Sequence, residues 1–258
     1  MQVLDKDTKF AHLGKPGGAF TPGFRRRLNK LMSVLDLRDK KILDVGCGEG
    51  VWLAEFAKLT APENVFGSEY DSELVAEIVR HGSDALVDSH IPLTNIVNCP
   101  AEALQFADNT FDIVFSHEVL EHVQDDAKAV SEAIRVLRPG GYFVVFTPNR
   151  GWPFEQHGMF WWGKYYWGNI PLLPWFPWLY RIFAPHVRNY WWWDIRRLMT
   201  SVPGVQIYKH DFVFPAFDRL KYKWGGVGKL IQQTFYALEH TPLRVFGISH
   251  LIIVQKPT

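Results

Sequence analysis

The sequence has few cysteines, almost no net charge and no long apolar run. Cys47 and Cys99 are its only cysteines, which excludes a disulfide-built scaffold and a spaced cysteine metal site. Lysine plus arginine total 28 and aspartate plus glutamate 27, so the chain offers no basic field for a nucleic-acid backbone. No apolar run is long enough for a transmembrane helix, and the N-terminal segment lacks the apolar core of a signal peptide. We therefore expect a cytoplasmic protein without a metal.

Short apolar segments alternate with amphipathic ones over the first 147 residues. The apolar segments predict strands, and the amphipathic ones predict helices between them. The strands are predicted at 41–45, 65–69, 96–98, 111–116 and 142–147, and the helices at 24–38, 51–59, 72–81 and 126–137. A further helix (193–201), strand (205–214), helix (228–239) and strand (248–254) follow an aperiodic segment. This alternation predicts a mostly parallel α/β sheet with helices on both faces.

The predicted organisation is a single domain over residues 1–258. Residues 1–39 form an N-terminal helical cap, and residues 40–150 form the core. Residues 151–193 form an aromatic insert after the fifth strand, and residues 194–258 complete the sheet.

A glycine-rich turn joins the first strand to the next helix. Its sequence, from Asp44 to Gly50, is DVGCGEG, and Glu69 ends the second strand 23 residues after Gly46. Glycine lets a backbone turn sharply and approach a ligand, and an acid at the end of the second strand can accept both ribose hydroxyls. Val51 stands where the dinucleotide fingerprint has its third glycine, so a cofactor without phosphate is favoured over an ordinary strand–helix connection.

Four segments, taken in order, resemble the motifs of class I S-adenosylmethionine (SAM)-dependent methyltransferases. They are LDVGCGEG (43–50), VFGSEYD (65–71), AEALQFADNTFDIVFSHEVLEHV (101–123) and VLRPGGYFVVFTPNR (136–150). The resemblance is greatest to the small-molecule methyltransferases of quinone biosynthesis. It implies a Rossmann-like seven-stranded sheet with an antiparallel C-terminal strand pair, SAM as cofactor and S-adenosylhomocysteine as product.

The resemblance also implies a role for each motif residue. Asp44, Gly46 and Gly48 would contact the methionine part. Cys47, between the two glycines, is a further candidate for the cofactor site; no base or metal partner is near it in the sequence, so it is interpreted as a small packing residue and not as a nucleophile. Glu69 would bind the ribose, and Tyr70 would stack on adenine. Ala101 and Glu102 would lie at the adenine edge, where Pro100 replaces the aspartate of many family members. Ser116 and His117 would face the methionine and the transferable methyl group.

Histidines are the candidates for removing a proton from an acceptor hydroxyl. His117 follows the fourth strand, at the edge where ligands of open sheets bind, and catalytic and structural roles are equally open for it. For His122 a structural role is favoured over that of a base. His157 and His186 could swing over the site, but a solvated or hydrogen-bonded histidine is the simpler interpretation.

Nine of the eleven tryptophans lie between Trp152 and Trp193. This insert could be ordinary core, a lid over an apolar acceptor, or an interfacial segment. Three prolines exclude a continuous helix, and Lys164, Arg181 and Arg188 suit anionic lipids. We favour a lid with membrane or lipid contact, and its candidate residues are His157, Trp161, Trp162, Trp175, Trp178 and His186.

The sequence as a whole therefore predicts a methyltransferase acting on an apolar small molecule or lipid-like acceptor. O-methylation is the first expectation, with N- and C-methylation open. The alternatives are a non-catalytic SAM-binding partner at a membrane and a macromolecule methyltransferase. Nucleic acid is not expected as a partner, because no basic groove is visible in the sequence.

Overall fold

The computed structural model describes residues 21–166 and 168–258, which fall into two compact units. The sheet unit contains residues 21–146, 196–210 and 251–258. The aromatic unit contains residues 147–195, apart from Trp167, and 211–250. The first 20 residues of the predicted N-terminal cap lie outside the described residues, and the assignment of one domain stays a prediction.

A seven-stranded sheet organises the chain, as the sequence predicts. The strands are β1 (Ile42–Val45), β2 (Val65–Glu69), β3 (Ile96–Asn98), β4 (Phe111–His117), β5 (Leu137–Pro148), β10 (Gln206–Val213) and β11 (Ser249–Gln255). Their order in the sheet is β10-β11-β5-β4-β1-β2-β3, with β1 paired in parallel to both β2 and β4. The two C-terminal strands form the expected antiparallel pair. Parallel pairing brings the carboxyl ends of β1, β2 and β4 to one edge, where ligands of such sheets bind.

Helices connect these strands, and side-chain caps fix where two of them begin. They are α1 (Pro22–Met32), α2 (Val51–Phe56), α3 (Ser72–His81), α4 (Asp126–Val136) and α6 (Trp192–Met199). Asp71 accepts hydrogen bonds from the first turn of α3, and Asp125 does so for α4. Helix α2 ends three residues before the predicted Leu59, where the amides of Lys58 and Leu59 donate to the carbonyls three residues back, those of Glu55 and Phe56.

The aromatic unit contains more regular structure than its aperiodic sequence predicts. Strand β6 (Phe154–Glu155) pairs with β9 (Ile170–Pro171), and β7 (Met159–Trp161) pairs with β8 (Lys164–Tyr166). Helix α5 (Pro177–Phe183) packs its buried Tyr180 against Leu173, Ala184 and Val187. The expectation that no continuous helix fills this segment is confirmed.

Helix α7 (Asp218–Leu238) begins ten residues before the predicted start at Gly228. Gly225 interrupts it with a left-handed φ of +50°, so the element is two helical pieces joined at a kink. Three glycines within four residues remove the periodicity from which a longer helix could be predicted. Across residues 21–166 and 168–258, no helix has the length and apolar character needed to cross a membrane.

Candidate functional site

The glycine turn is held by the end of the neighbouring strand. Gly46, Gly48 and Gly50 all have positive φ, at +74°, +52° and +89°. The amides of Gly46 and Cys47 donate to the Ser68 carbonyl at 2.7 and 3.0 Å, and the Gly48 amide donates to Glu69 Oε2 at 2.9 Å. The turn and Glu69 are therefore one hydrogen-bonded assembly, at the edge predicted for the cofactor.

Asp44 is the most confined acid in this assembly. Its side chain is 1 % exposed, and no described residue hydrogen-bonds its Oδ2. Burial, followed by repulsion from Glu69, raises the pKa of this carboxyl well above its ordinary value. A buried carboxyl oxygen without a partner is costly, and a cationic ligand would remove that cost. The pair of acids therefore suits a ligand that carries positive charge.

The end of β2 is fixed by a side chain that sequence reasoning missed. Asn98, at the end of β3, donates its amide hydrogens to the carbonyls of Glu69 and Tyr70, at 2.9 and 3.0 Å. Glu69 Oε1 also accepts the Asp71 amide at 3.0 Å. The Tyr70 ring is left 74 % exposed and open to stacking by a planar ligand. The edge rule that selected Glu69 applies to Asn98 as well, since it also ends a parallel strand.

Two apolar side chains, also missed, cover the glycines. A Cβ added at Gly46 would lie 2.4 Å from Cγ2 of Val119, and one added at Gly50 would lie 2.7 Å from Cδ2 of Leu86. A Cβ at Gly48 would meet no atom within 4 Å. Gly46 and Gly50 are therefore needed for packing within the protein, whereas the space above Gly48 is open.

The predicted adenine-edge residues have structural roles of their own. Ala101 is buried, and Glu102 Oε1 accepts the amides of Gln124 and Asp125 at 2.7 and 3.3 Å, just before α4. One Glu102 oxygen is thus used to hold the chain at the start of that helix. A contact from Glu102 to adenine stays a prediction.

His117 lies inside a cage of aromatic rings. Its ring centroid is 5.1 Å from that of Phe24, 5.2 Å from Trp52 and 5.7 Å from Phe146. Its Nε2 is buried, and no described residue hydrogen-bonds it. Burial, followed by the charge of Arg27, holds the pKa of this imidazole well below its usual value. The ring is therefore neutral at physiological pH, which is the form that can accept a proton.

Ser116, His122 and Cys47, the other predicted residues of this region, are described by their burial and backbone contacts. Ser116 is buried on β4 beside Val45, and the backbone amide of His122 donates to the Val119 carbonyl at 2.9 Å. The Cys47 thiol is buried, and burial raises its pKa well above the ordinary value. That direction fits the prediction that Cys47 packs in the turn and is not a nucleophile.

Within the aromatic unit, two of the predicted lid residues are hydrogen-bonded. His157 Nδ1 lies 3.0 Å from Glu155 Oε1, and Asn189 donates to Glu155 Oε2 at 2.9 Å. His186 Nε2 lies 3.4 Å from the His157 carbonyl oxygen. Burial raises the pKa of Glu155, but its bonds to His157 outweigh burial and the net shift is downward. His157 and His186 are thus hydrogen-bonded, which was the simpler interpretation of both.

The predicted lid tryptophans are exposed to very different degrees. Trp162 is 88 % exposed and Trp178 64 %, whereas Trp161 and Trp175 are about half as exposed as Trp162. Trp175 also donates its indole N–H to the Gly151 carbonyl at 3.3 Å. Trp162 and Trp178 are therefore surface side chains, and core packing does not account for them.

Comparison with known proteins gives matches in the sheet unit and in the fold. Residues 43–145 match the family model described as "Methyltransferase domain". A ubiquinone biosynthesis O-methyltransferase of Xanthomonas oryzae is 33 % identical over 124 residues, which cover 48 % of this chain and 49 % of the relative. One of Cupriavidus pinatubonensis is 31 % identical over 152 residues, covering 57 % and 58 %. The chain thus spans only about half the length of these curated relatives.

A solved structure extends the likeness in fold to most of the chain. The SAM-dependent methyltransferase of Mesorhizobium loti superposes with a TM-score of 0.56 at 18 % sequence identity. The superposition covers 88 % of this chain and 96 % of that one. At that identity the likeness concerns the fold alone.

Proposed function

We propose that this chain, which carries a class I SAM-dependent methyltransferase domain over residues 43–145, methylates an apolar small-molecule or lipid-like acceptor. One observation carries the proposal. The buried carboxyl of Asp44 has an oxygen without a partner among the described residues, beside Glu69 and a turn whose Gly48 is open. These residues fit a cationic amino-acid cofactor that has a ribose and no phosphate.

Each residue of this edge has a defined task in the proposal. SAM supplies an electrophilic methyl group when it is bound. Asp44 meets the positive charge of its amino-acid part, and Glu69 accepts the ribose hydroxyls while still holding the Gly48 amide. Tyr70 offers an exposed ring for stacking. The protein's main contribution to the rate is then alignment of the acceptor, which can replace a large part of the entropic barrier.

O-methylation requires loss of a hydroxyl proton, and His117 is the proposed acceptor of that proton. Its imidazole is kept neutral, and its Nε2 accepts no hydrogen bond from any described residue. His117→Asn should then lower kcat by about 10²–10⁴-fold with little change in SAM affinity. A kcat within a few-fold of the wild type would instead assign His117 to the aromatic cage alone, with alignment as the mechanism.

Exposed apolar side chains support an acceptor of apolar character. Among the residues that the structure describes, 24 large apolar side chains are exposed, and eighteen of these belong to the aromatic unit. Clustered exposure of this kind marks a surface for ligands, partners or membranes. We therefore include peripheral contact of residues 151–193 with a membrane in the proposal.

The carrying observation is tested with Asp44→Asn, which keeps the shape of the side chain and removes its charge. Calorimetric titration should give a SAM affinity roughly 10- to 100-fold weaker, the scale of a lost charge-assisted hydrogen bond. Asp112→Asn is the control, since Asp112 lies at the opposite end of β4, where it accepts hydrogen bonds from the Lys41 amide and the Arg138 side chain. Equal affinities for SAM in both variants would remove Asp44 from the cofactor site.

Turnover decides between an enzyme and its non-catalytic alternative. A purified chain that binds SAM but methylates no hydroxyl-bearing lipid or quinol would support the SAM-binding partner instead. Mass spectrometry of the purified protein would show whether SAM or S-adenosylhomocysteine remains bound.

A further inference from the structure

The aromatic unit contains an apolar cavity of about 330 Å³. Its walls come from two stretches of chain that are far apart in sequence. The aromatic insert supplies Trp152, Pro153, Phe154 and Trp175, and the C-terminal stretch supplies Phe214, Phe235, Leu238, Leu243 and Phe246. All nine side chains are hydrocarbon or aromatic, and the volume lies within the range of small-molecule sites.

Aromatic contacts and buried hydrogen bonds build these walls. Phe214 lies with its ring centroid 5.4 Å from Phe235 and 6.3 Å from Trp152. The Phe214 amide donates to the buried Glu239 carboxylate at 2.7 Å, and the Tyr236 hydroxyl donates to the Ala216 carbonyl at 3.2 Å. The segment that follows β10 is thus bonded to the C-terminal end of α7, so the walls are supported independently of any ligand.

The rim of the cavity is open to solvent. Leu243 is 50 % exposed, and Phe154, Trp175 and Phe246 are each about two-fifths exposed. A water molecule in a cavity needs two to four polar partners, whereas the only polar side-chain atoms of the lining residues are the indole nitrogens of Trp152 and Trp175, and Trp175 already donates to Gly151. Apolar surface at an open mouth is stabilised when a hydrocarbon covers it.

An exposed arginine, Arg244, belongs to the same short turn, Pro242–Phe246, that supplies the rim residues Leu243 and Phe246. A guanidinium donates up to five hydrogen bonds, so it suits a ligand with an oxygen-bearing end. The occupant that fits both features is a single hydrocarbon chain with a polar end.

We propose that this cavity binds the hydrocarbon chain of an amphiphile with an oxygen-bearing polar end. The inference stands apart from the proposed function, because all nine lining residues belong to the aromatic unit. Straight acyl chains and branched isoprenoid chains are both hydrocarbons of this kind, and n-decanol and geraniol serve as a probe for each.

The test measures binding of n-alkanols, from hexanol to dodecanol, to the full chain by calorimetry, without SAM or vesicles. Each added CH₂ should tighten binding about fourfold until the cavity is filled, after which the gain should stop. n-Decanol and geraniol carry the same number of carbons, so their relative affinities separate a straight-chain site from an isoprenoid one. A series with no dependence on chain length, or one that rises without a plateau, would overturn the proposal.

Two variants of neighbouring residues provide the matched control. Leu243→Asp places a charge on the rim, and Val245→Asp places the same charge two residues away, outside the lining. Both side chains are at least one-third exposed, so both variants should fold, which thermal unfolding checks. Only Leu243→Asp should weaken alkanol binding, by tenfold or more. Equal weakening in the two variants would show that the alkanols adsorb to the general surface.

A SAM titration of the same samples separates this inference from the proposed function. If the chain binds SAM and turns over an acceptor but binds no alkanol, the proposed role of the cavity is wrong and the proposed methyltransferase function stands. If alkanols bind with a plateau but SAM does not bind, the proposed function is wrong and the proposed role of the cavity stands.

Discussion

At the scale of single residues, burial and a nearby like charge shift the pKa values of Asp44 and His117 in opposite directions, each toward the neutral form. Burial disfavours charge on both side chains, and the nearest like charge, Glu69 for Asp44 and Arg27 for His117, adds to the effect. A cationic ligand bound beside Asp44 would lower the pKa of its carboxyl again, so the titration of Asp44 should report on cofactor binding.

The raised pKa of Asp44 predicts pH-dependent SAM binding. Ionised Asp44 is the form that a cationic ligand prefers, so SAM affinity should rise with pH up to the raised pKa and then level off. Calorimetry over a pH series, in buffers of different ionisation enthalpy, should also show a proton released on binding. In Asp44→Asn both the rise and the released proton should disappear, and persistence of either would assign the proton to another group.

The raised pKa of Asp44 also predicts that the folded protein without ligand loses stability as the pH rises, whereas its SAM affinity increases. The folded-state pKa of Asp44 lies above the unfolded value, so its contribution to stability is present at acid pH and lost as the pH rises through the folded-state pKa. Without ligand at neutral pH, Asp44→Asn should therefore unfold at a higher temperature than the wild type. A lower midpoint would mean that the carboxylate is already paired in the free protein.

The two glycines of the turn should respond differently to substitution by valine. Gly48→Val should abolish SAM binding with modest loss of stability, because its φ of +52° is strained but no protein atom lies in the way. Gly46→Val should also lower the thermal midpoint by several degrees, since its Cβ would overlap Val119. Thermal unfolding and SAM titration of both variants check this. Equal destabilisation would contradict the distinction.

The sequence predicted those site residues that lie in local motifs, and it missed those that act through contacts between distant parts of the chain. The glycine turn, Glu69 and His117 lie in local motifs, so their types and spacing point to them directly. Val119, Leu86 and Asn98 act on those motifs from 28 to 73 residues away along the chain. Contacts over such distances depend on how the loops fold back onto the sheet, which periodicity does not encode.

At the scale of elements, periodic segments were predicted to within a few residues, and glycine-rich or aromatic ones were not. Strands β2 and β3 and helix α3 have the predicted bounds, because alternation and caps define them locally. Helix α7 was predicted only in its second half, since Gly225, Gly226 and Gly228 hide the first. The two small ribbons of the insert were missed, because their strands are only two or three residues long.

The aromatic insert allows a prediction about membranes. Trp162→Ser combined with Trp178→Ser removes two highly exposed rings that take no part in the cavity walls. Binding to vesicles of phosphatidylglycerol should fall sharply, because such rings prefer the headgroup layer, while SAM affinity and the thermal midpoint stay unchanged. Vesicle sedimentation and calorimetry measure the two effects. Unchanged sedimentation would exclude these rings as the membrane contact.

At the scale of the whole molecule, the formal net charge is only +1, but the two units carry net charges of opposite sign. The described residues of the aromatic unit hold nine Lys and Arg against five Asp and Glu, whereas those of the sheet unit hold 16 against 20. The overall composition excludes a basic nucleic-acid field, but it does not exclude a local attraction to anionic lipid. The basic surplus coincides with the unit that exposes most apolar side chains.

This distribution predicts a salt-sensitive attachment to membranes. Each basic residue near an anionic surface adds about 1 kcal/mol at moderate ionic strength, and salt screens that attraction within a Debye length. Sedimentation with phosphatidylglycerol vesicles should therefore weaken between roughly 0.1 and 0.5 M salt, and uncharged phosphatidylcholine vesicles should bind less at every concentration. Equal binding to both lipids would leave only the apolar side chains as the attachment.

The contact between Gly46 and Val119 has a consequence for descent. A lineage that lost its methyl donor would be released from selection at Asp44, and at Gly48 only the left-handed φ of +52° would still favour glycine, because no protein atom lies above it. It would keep Gly46, because any larger residue there would collide with Val119 inside the protein itself. A retained Gly46 therefore indicates only shared descent, whereas retention of Asp44 and Gly48 together indicates that the chain still binds the cofactor. Surveys for pseudoenzymes among such chains should weigh those two positions above the first glycine.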